Sequence, residues 1–238
     1  MQHVQIPFKE SCRAFWSLNG TLKNEIEGKA PATVESGEVN FSPKEKGFKY
    51  TNYNTILKIE PEDIRSTNIS LVFQTRALDI EDDDLPNCSL FSFVRNGEIR
   101  LCLDFEQCDD CFCINTMEQP MGSRSETIVP MKALTQDRWV THVIIYEHEH
   151  KQIRYYINST LACIIDASLD MRMSDLYFNR EHSCNGLIRN VAVYDCALSY
   201  EQIKKLPYHN YYKKFTLGLW LKFIELLYKD KKELIPWI

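Results

Sequence analysis

The sequence has no excess of basic residues, since 28 Lys and Arg stand against 33 Asp and Glu for a formal net charge of −5. Such a chain offers no positive field that would gather phosphates, so nucleic acid is excluded as an expected partner. An anionic membrane surface is disfavoured for the same reason. The N-terminus also lacks the basic region and the apolar core of about 7 to 15 residues that mark a signal peptide. We therefore expect either a cytoplasmic protein or a precursor that begins upstream of Met1.

The motifs of several enzyme classes are missing as well. The chain contains no Gly-rich phosphate loop, no dinucleotide fingerprint and no Ser-His-Asp order. Glycosidic hydrolysis needs two carboxylates at a fixed separation, and no predicted strand carries them at alternate positions. The acidic and histidine run from Glu147 to His150 lies in a predicted hairpin turn and lacks the helical spacing of a zinc protease. We predict that the protein is not an enzyme, with a glycoside hydrolase as the least favoured alternative.

Nine cysteines are present, and because the number is odd at least one thiol stays unpaired within the chain. Cys-x-x-Cys at Cys108 and Cys111 could hold zinc, but a second knuckle is missing. Free thiols or, in an oxidising compartment, disulfides are the other interpretations. The disulfide candidates are Cys108, Cys111, Cys113, Cys184 and Cys196.

Four Asn-x-Ser/Thr sequons would accept N-glycans if the chain entered the secretory pathway. They begin at Asn19, Asn68, Asn87 and Asn158. Together with the cysteines, they favour an extracellular or lumenal location, with the cytoplasm as the alternative.

An acidic loop, "DIEDDDLPN" at residues 79–87, is the candidate for calcium binding. Clustered carboxylates suit calcium, and the weak candidate ligands are Asp82, Asp83 and Asp84. The run has no fixed ligand spacing and contains Pro86, so a solvated loop is the alternative explanation. No other cofactor is expected.

Period-two alternation dominates the secondary-structure pattern. The stretch "RWVTHVIIYEHEHKQIRYYINSTLACIID" predicts successive antiparallel strands. Asn96-Gly97 predicts a two-residue type I′ hairpin that sets Val94 opposite Ile99. No strand-helix-strand alternation appears before residue 199, which argues against a parallel sheet. We predict an all-β fold, an antiparallel β-sandwich of one domain over residues 1–206.

The stretch "CNGLIRNVAVYDCALSYEQIKKL", residues 184–206, predicts a strand followed abruptly by a short helix. A β-bulge at Arg189-Asn190 would restore the alternation of the strand. Ser199 is the predicted N-cap, Gln202 completes a capping box, and Leu198 staples to Ile203. Pro207 ends the helix.

Residues 139–206 resemble the second half of a laminin G-like domain of the concanavalin A-like lectin/glucanase superfamily. The matching pieces are Trp-x-x-His-Val at Trp139 to Val143, Tyr-Ile-Asn-Ser at Tyr156 to Ser159, Gly-x-Ile at Gly186 to Ile188, Tyr194-Asp195, and the helix from Ala197 to Ile203. The family usually has Gly where this chain has Ser159, which leaves the turn type open. "AFWSLNGTLKNEIEGKAPATVESGEVNF" fits the first half of the domain more loosely, so the resemblance covers about residues 10–206.

The resemblance implies a concanavalin A-like jelly roll. Members of this superfamily bind glycans, proteins or lipids through one sheet face or the rim loops, often near calcium, and a minority hydrolyse glycosides. Because fold alone does not choose among these, we predict a recognition or adhesion module for a glycan or protein ligand.

Residues 207–238 predict a C-terminal hydrophobic helical extension. Its partner-contact candidates are Trp220, Phe223, Ile224 and Leu227, spaced at i, i+3, i+4 and i+7. The other faces are apolar too, so this helix needs a partner surface. It could dock on the sandwich, contact another protein or lie at a membrane interface. The alternative function is therefore a structural subunit of a larger assembly, anchored by this helix.

Overall fold

The computed structural model describes residues 6–50, 55–61, 66–77, 87–106, 111–117, 124–132, 139–169, 175–180 and 185–206. In these ranges the chain forms fifteen β-strands and one short helix. The strands are β1 Cys12–Trp16, β2 Thr33–Ser36, β3 Phe41–Ser42, β4 Gly47–Tyr50, β5 Ile56–Ile59, β6 Ile69–Ala77, β7 Asn87–Arg95, β8 Glu98–Glu106, β9 Cys111–Met117, β10 Arg124–Lys132, β11 Val140–Glu147, β12 Gln152–Ile157, β13 Thr160–Asp166, β14 Asp175–Phe178 and β15 Gly186–Tyr194. The helix, α1, spans Tyr200–Lys204.

The strands form two antiparallel sheets. The first has the order β13-β12-β11-β6-β15-β4-β3, with β1 also paired to β15, and the second has the order β10-β9-β8-β7-β14-β5-β2. The predicted all-β, antiparallel sandwich is confirmed at this level. The jelly-roll winding stays a prediction, and the C-terminal extension lies outside the described residues.

The main core lies between the two sheets and is rich in aromatic side chains. Trp16, Phe73 and Phe91 are fully buried members of it, contributed by both sheets. Strand β11 places Ile144 in this core and Val143 in a second cluster on the outer face of the first sheet. Every residue of the strand except Glu147 is buried, because the outer face of the sheet is covered too.

Two hairpins have the backbone that their sequences require. Asn96 and Gly97 have φ of 53° and 79°, and Val94 pairs with Ile99, which confirms the predicted turn and register. Asn158 and Ser159 also have positive φ, 48° and 64°, so the second turn is of the same kind although it lacks glycine. The Asn158 side chain supports it by accepting a hydrogen bond from the Thr141 backbone N–H at 2.9 Å.

Strand β15 organises the first sheet. It pairs with β6 along one edge, and its other edge pairs first with β4 and then with β1. The change of partner coincides with the predicted bulge, where the register shifts between Arg189 and Ala192 and Asn190 adopts a φ of 52°. The bulge therefore lets one strand serve two neighbours.

Helix α1 ends the described part of the chain on the outer face of the first sheet. The Ser199 side chain accepts from the Gln202 N–H, and the Gln202 side chain accepts from the Ser199 N–H, so the predicted capping box is confirmed. Leu198 and Ile203, the predicted staple, are both fully buried in the second cluster, as is Leu206 nearby. The helix thus covers part of the sheet rather than standing free.

Candidate functional site

The outer face of the second sheet carries small polar side chains at its centre. Leu101 and Leu103 of β8 face the main core, so the alternate positions, Cys102 and Asp104, lie on the opposite face. The neighbouring strands β7 and β9 contribute similar residues by register. We call this group the Asp104 cluster, and its members are Ser92, Cys102, Asp104, Cys113 and Asn115.

Asp104 is the only acidic member of this cluster, and it is just 9% exposed. Its Oδ2 accepts hydrogen bonds from Asn115 Nδ2 at 2.8 Å and from Cys102 Sγ at 3.4 Å. Within the described ranges no group donates to its other oxygen, Oδ1. A carboxylate can accept about four hydrogen bonds, and leaving a buried one partly unsatisfied is costly. Asp104 is therefore held in place by one oxygen and has acceptor capacity at the other.

An aromatic ring shares this face with the Asp104 cluster. Successive cross-strand partners form one row across β5, β14, β7, β8 and β9, namely Lys58, Tyr177, Ser92, Cys102 and Asn115. Neighbouring strands lie about 4.8 Å apart, so Tyr177 stands roughly 10 Å from Cys102 along the row. The face thus combines an aromatic side chain with an Asp and an Asn on a rigid sheet.

Lys58 balances the acidic groups at the other end of the row. Its Nζ lies 2.5 Å from Glu60, 3.3 Å from Asp175 and 4.0 Å from Glu35. The hydrogen bond that Lys58 donates to Glu60 raises the pKa of Lys58, burial opposes this, and Asp175 adds to the increase. These carboxylates converge on a fixed cation, an arrangement that differs from an acid and a base flanking a scissile bond.

Two cations lie close to the Tyr177 ring. Lys58 Nζ lies 5.7 Å and the Arg180 guanidinium 4.5 Å from the ring centroid. Burial raises the pKa of Tyr177, with the Glu35 carboxylate adding to the effect. The hydroxyl therefore keeps its proton and donates to Glu35 at 3.4 Å. The ring is fixed in position at the edge of the Asp104 cluster.

The outer face of the first sheet has a polar network of its own beside the β15 bulge. The Arg189 guanidinium lies 3.9 Å from the Trp139 ring centroid, and its Nε donates to Gln74 Oε1 at 2.9 Å. Asn190 Nδ2 donates to the same oxygen at 2.9 Å. A Cβ on Gly47 would come within 2.9 Å of the Trp139 ring, so glycine makes room for it. Because these groups bind one another, we assign the network to stabilising the bulge.

His142 is the other chemically suggestive group, and it lies inside the main core. Its Nε2 is 2.8 Å from the Thr75 hydroxyl, its Nδ1 is 2.7 Å from the Tyr155 hydroxyl, and its ring stacks on Phe73. Burial lowers the pKa of His142 to about 3. A neutral imidazole donates at one nitrogen and accepts at the other, so both hydroxyl contacts are satisfied without charge. His142 is a structural residue.

Most of the site residues predicted from sequence lie outside the described residues. These are the calcium candidates Asp82, Asp83 and Asp84, the cysteines Cys108 and Cys184, and the partner-contact candidates Trp220, Phe223, Ile224 and Leu227. In the described ranges no group of three or more His, Cys, Asp or Glu side chains could hold a metal ion. The same part of the chain contains no helix that is long and apolar enough to span a membrane.

The remaining disulfide candidates fall at different places. Cys111 and Cys113 both lie in β9, where Cys113 is buried in the Asp104 cluster. Cys196 is a partly buried free thiol beside the second cluster, so it forms no disulfide in this structure. Disulfide pairing through the other candidates stays a prediction.

The four sequons differ in how the structure uses their asparagines. Asn68 Oδ1 accepts from the His148 N–H at 2.9 Å, and Asn158 is similarly engaged in its hairpin turn. Asn87 begins strand β7. Asn19 is exposed and is followed by Gly20 in a bend. Asn19 is therefore the sequon best placed to carry a glycan.

No protein-family model and no curated protein matches this sequence. Among solved structures, the chain is similar to the receptor-binding domain of botulinum neurotoxin C/D mosaic serotype, with a TM-score of 0.67, 13% identity, and coverage of 83% of this chain and 51% of that one. It is also similar to the binding domain of botulinum neurotoxin DC in complex with SialylT (TM-score 0.63, 16% identity, 82% and 50% coverage) and in complex with rat synaptotagmin II (TM-score 0.65, 16% identity, 82% and 50% coverage).

These similarities establish a shared β-sandwich fold, and the chain spans about half the length of the neurotoxin domains. The neighbours themselves are described as binding domains. The laminin G-like assignment stays a prediction, because these neighbours carry a different name.

Asp104, Asn115 and Tyr177 were not among the site residues predicted from the sequence. The period-two pattern could have indicated part of the site, because "LCLDF" places Cys102 and Asp104 on the face opposite Leu101 and Leu103. The strands alone do not show that Tyr177 and Asn115 share that face, since their relation is set by pairing across β7 and β8.

Proposed function

We propose that this chain is a non-enzymatic recognition module that binds a glycan on the outer face of its second sheet. The observation that carries the proposal is the Asp104 carboxylate. Its Oδ2 accepts two hydrogen bonds, and its Oδ1 accepts none from the described residues. Carbohydrate hydroxyls are donors that suit such an acceptor, and bonds to charged groups are worth about 1.5 to 3 kcal/mol.

The surroundings of Asp104 favour a glycan over a protein ligand. The Asp104 carboxylate and the Tyr177 ring lie on the same face, two strands apart, and are 9% and 7% exposed. An acceptor and an aromatic ring are the two kinds of group that match the hydroxyls and the apolar ring faces of a sugar. Large protein contacts depend instead on buried aromatic, Arg or apolar anchors at the centre of the interface. The centre of this face consists of Ser, Cys, Asp and Asn.

Replacing Asp104 by asparagine is expected to weaken glycan binding by about 10- to 100-fold, because a charge-assisted acceptor is lost while the side-chain size is kept. The wild-type chain is first screened on immobilised neutral and acidic oligosaccharides, and the best-bound oligosaccharide is then titrated calorimetrically. Asp166→Asn is the matched control, because Asp166 is an exposed carboxylate on the first sheet.

Two outcomes would contradict the proposal. If no oligosaccharide binds the wild-type chain, glycan recognition is wrong and a protein ligand takes its place. If Asp104→Asn and Asp166→Asn bind equally to wild type, the glycan site lies elsewhere. The unfolding midpoint of each variant shows whether a loss of binding reflects a loss of fold.

We also propose an extracellular or lumenal location, supported by glycan recognition and by the exposed Asn19 sequon. Natively expressed wild-type chain is expected to lose mass on enzymatic deglycosylation, and Asn19→Gln is expected to remove most of that loss. Intact mass measured with and without reduction and deglycosylation tests this. A bare chain with nine free thiols would support the cytoplasmic alternative instead.

A further inference from the structure

Three large apolar side chains are exposed on one region of the first sheet. Leu161, Ile164 and Tyr200 are 43%, 52% and 49% exposed. Leu161 pairs with Tyr156 and Ile164 pairs with Arg154. Tyr156 and Arg154 pair in turn with Val143 and Ile145 of the outer cluster, so Leu161 and Ile164 lie on the outer face of the sheet, at its β13 edge. We call these three residues the apolar patch.

The apolar patch continues the buried cluster beneath α1. The Tyr200 ring stacks on Tyr156, with centroids 6.5 Å apart and an angle of 24° between the planes. Tyr156 in turn belongs to the buried cluster that contains Leu198, Ile203 and Leu206. The patch is therefore the uncovered margin of a surface that this chain already covers with its own helix.

The chain leaves the described region on this same face. Leu206 is buried in the cluster, and residues 207–238 follow it directly. Tyr156, on which Tyr200 stacks, belongs to the same cluster as Leu206, so the cluster at the chain exit borders the patch. As a helix, a segment of this length would be about 48 Å long, which is more than enough to cross the face of the sheet.

We propose that residues 207–238 dock in cis on the apolar patch, with Trp220, Phe223, Ile224 and Leu227 toward Leu161, Ile164 and Tyr200. The sequence places these four residues at helical spacing, and an apolar helix must bury such side chains. The docking extends the cover that α1 begins. It does not depend on glycan binding, which concerns the opposite sheet.

A cis contact fits the patch better than a second copy of the chain does. Stable dimers bury about 800 Å² on each partner, whereas the patch consists of three partly exposed side chains. A tethered segment also acts at an effective concentration of about millimolar, so a small contact is sufficient. An anionic membrane surface attracts clusters of basic residues, whereas the six lysines of this segment are interspersed with three acidic residues.

Hydrogen–deuterium exchange of the full chain tests this docking. In the wild type, backbone amides of residues 215–227 are expected to exchange at least about tenfold more slowly than in a full-length Leu161→Asp/Ile164→Asp variant. The matched control is Val39→Asp, which places an acid on an exposed hydrophobic residue that is 56% exposed and lies outside the patch. Protection of β6 and β11 in each variant reports whether the sandwich remains folded.

Each other outcome overturns the proposal. Rapid exchange of residues 215–227 in the wild type would show that the segment does not dock. Protection that grows with protein concentration would assign the patch to a second copy. Protection that appears only with vesicles containing anionic lipid would assign the segment to a membrane surface. Equal protection in the wild type and the double variant would place the segment elsewhere.

Discussion

Lowering the pH from about 7 to about 4.5 is expected to cost the folded chain roughly 2.5 to 3 kcal/mol through His142 alone. Burial lowers the pKa of His142 to about 3 from an ordinary value of 6.5. The unfolded chain therefore takes up a proton near pH 6.5, whereas the folded chain leaves this imidazole neutral until about pH 3. The contribution is fully present above pH 6.5 and is lost progressively as the pH falls toward 3.

Urea denaturation across this pH range measures the effect. His142→Gln removes the titrating group, while its amide still donates and accepts toward the Thr75 and Tyr155 hydroxyls. The variant is expected to lose less stability than wild type between pH 7 and 4.5. His150→Gln is the control, because His150 is exposed, and it should follow the wild-type profile. Equal acid losses in His142→Gln and wild type would show that His142 is charged in the folded chain.

Local sequence signals predicted much of this fold correctly. The Asn96-Gly97 turn, the β15 bulge and the Ser199 capping box each depend on residues within a few positions of one another. Positive φ at Asn-Gly and side-chain caps at Ser are properties of short segments, so a single sequence is sufficient to show them.

Strands β2, β3 and β4 are among those that were not predicted, and they lack such local signals. Strand β3 has two residues, Phe41–Ser42, and β2 is mostly exposed, so neither shows a clear alternation. Strand β4 is short and depends on pairing with β15 for its place in the sheet. Their stability comes from tertiary partners, which a period-two pattern does not report.

The candidate site could not be predicted from the sequence for the same reason, because it depends on tertiary pairing. Asp104 and Asn115 lie close together because β8 and β9 pair, and Tyr177 joins them through β7, which lies between. Tyr177 is 73 positions from Asp104 in the sequence. Strand order and register therefore create this site. The acidic run at residues 79–87, in contrast, was predicted as a calcium site from its composition alone.

The structure explains why position 186 is glycine, which the sequence indicated only through the Gly-x-Ile motif. It opens β15 and pairs with Tyr50 of β4, whose ring lies over it. A Cβ at this position would come within 2.6 Å of Tyr50 Cζ and 2.7 Å of Cε2. Tyr50 is buried in the main core, so its ring has little room to move. Glycine is required here by the close approach of an aromatic side chain.

Gly186→Ala is expected to lower the free energy of unfolding by about 2 to 3 kcal/mol, because the added methyl overpacks the core against Tyr50. In a Tyr50→Ala background the same substitution should be neutral or stabilising by about 0.4 to 1 kcal/mol, since alanine restricts the unfolded chain more than glycine does. Urea denaturation of the wild type, both single variants and the double variant measures this coupling. A penalty for Gly186→Ala that persists undiminished without the Tyr50 ring would show that the backbone of β15, and not the ring, demands glycine.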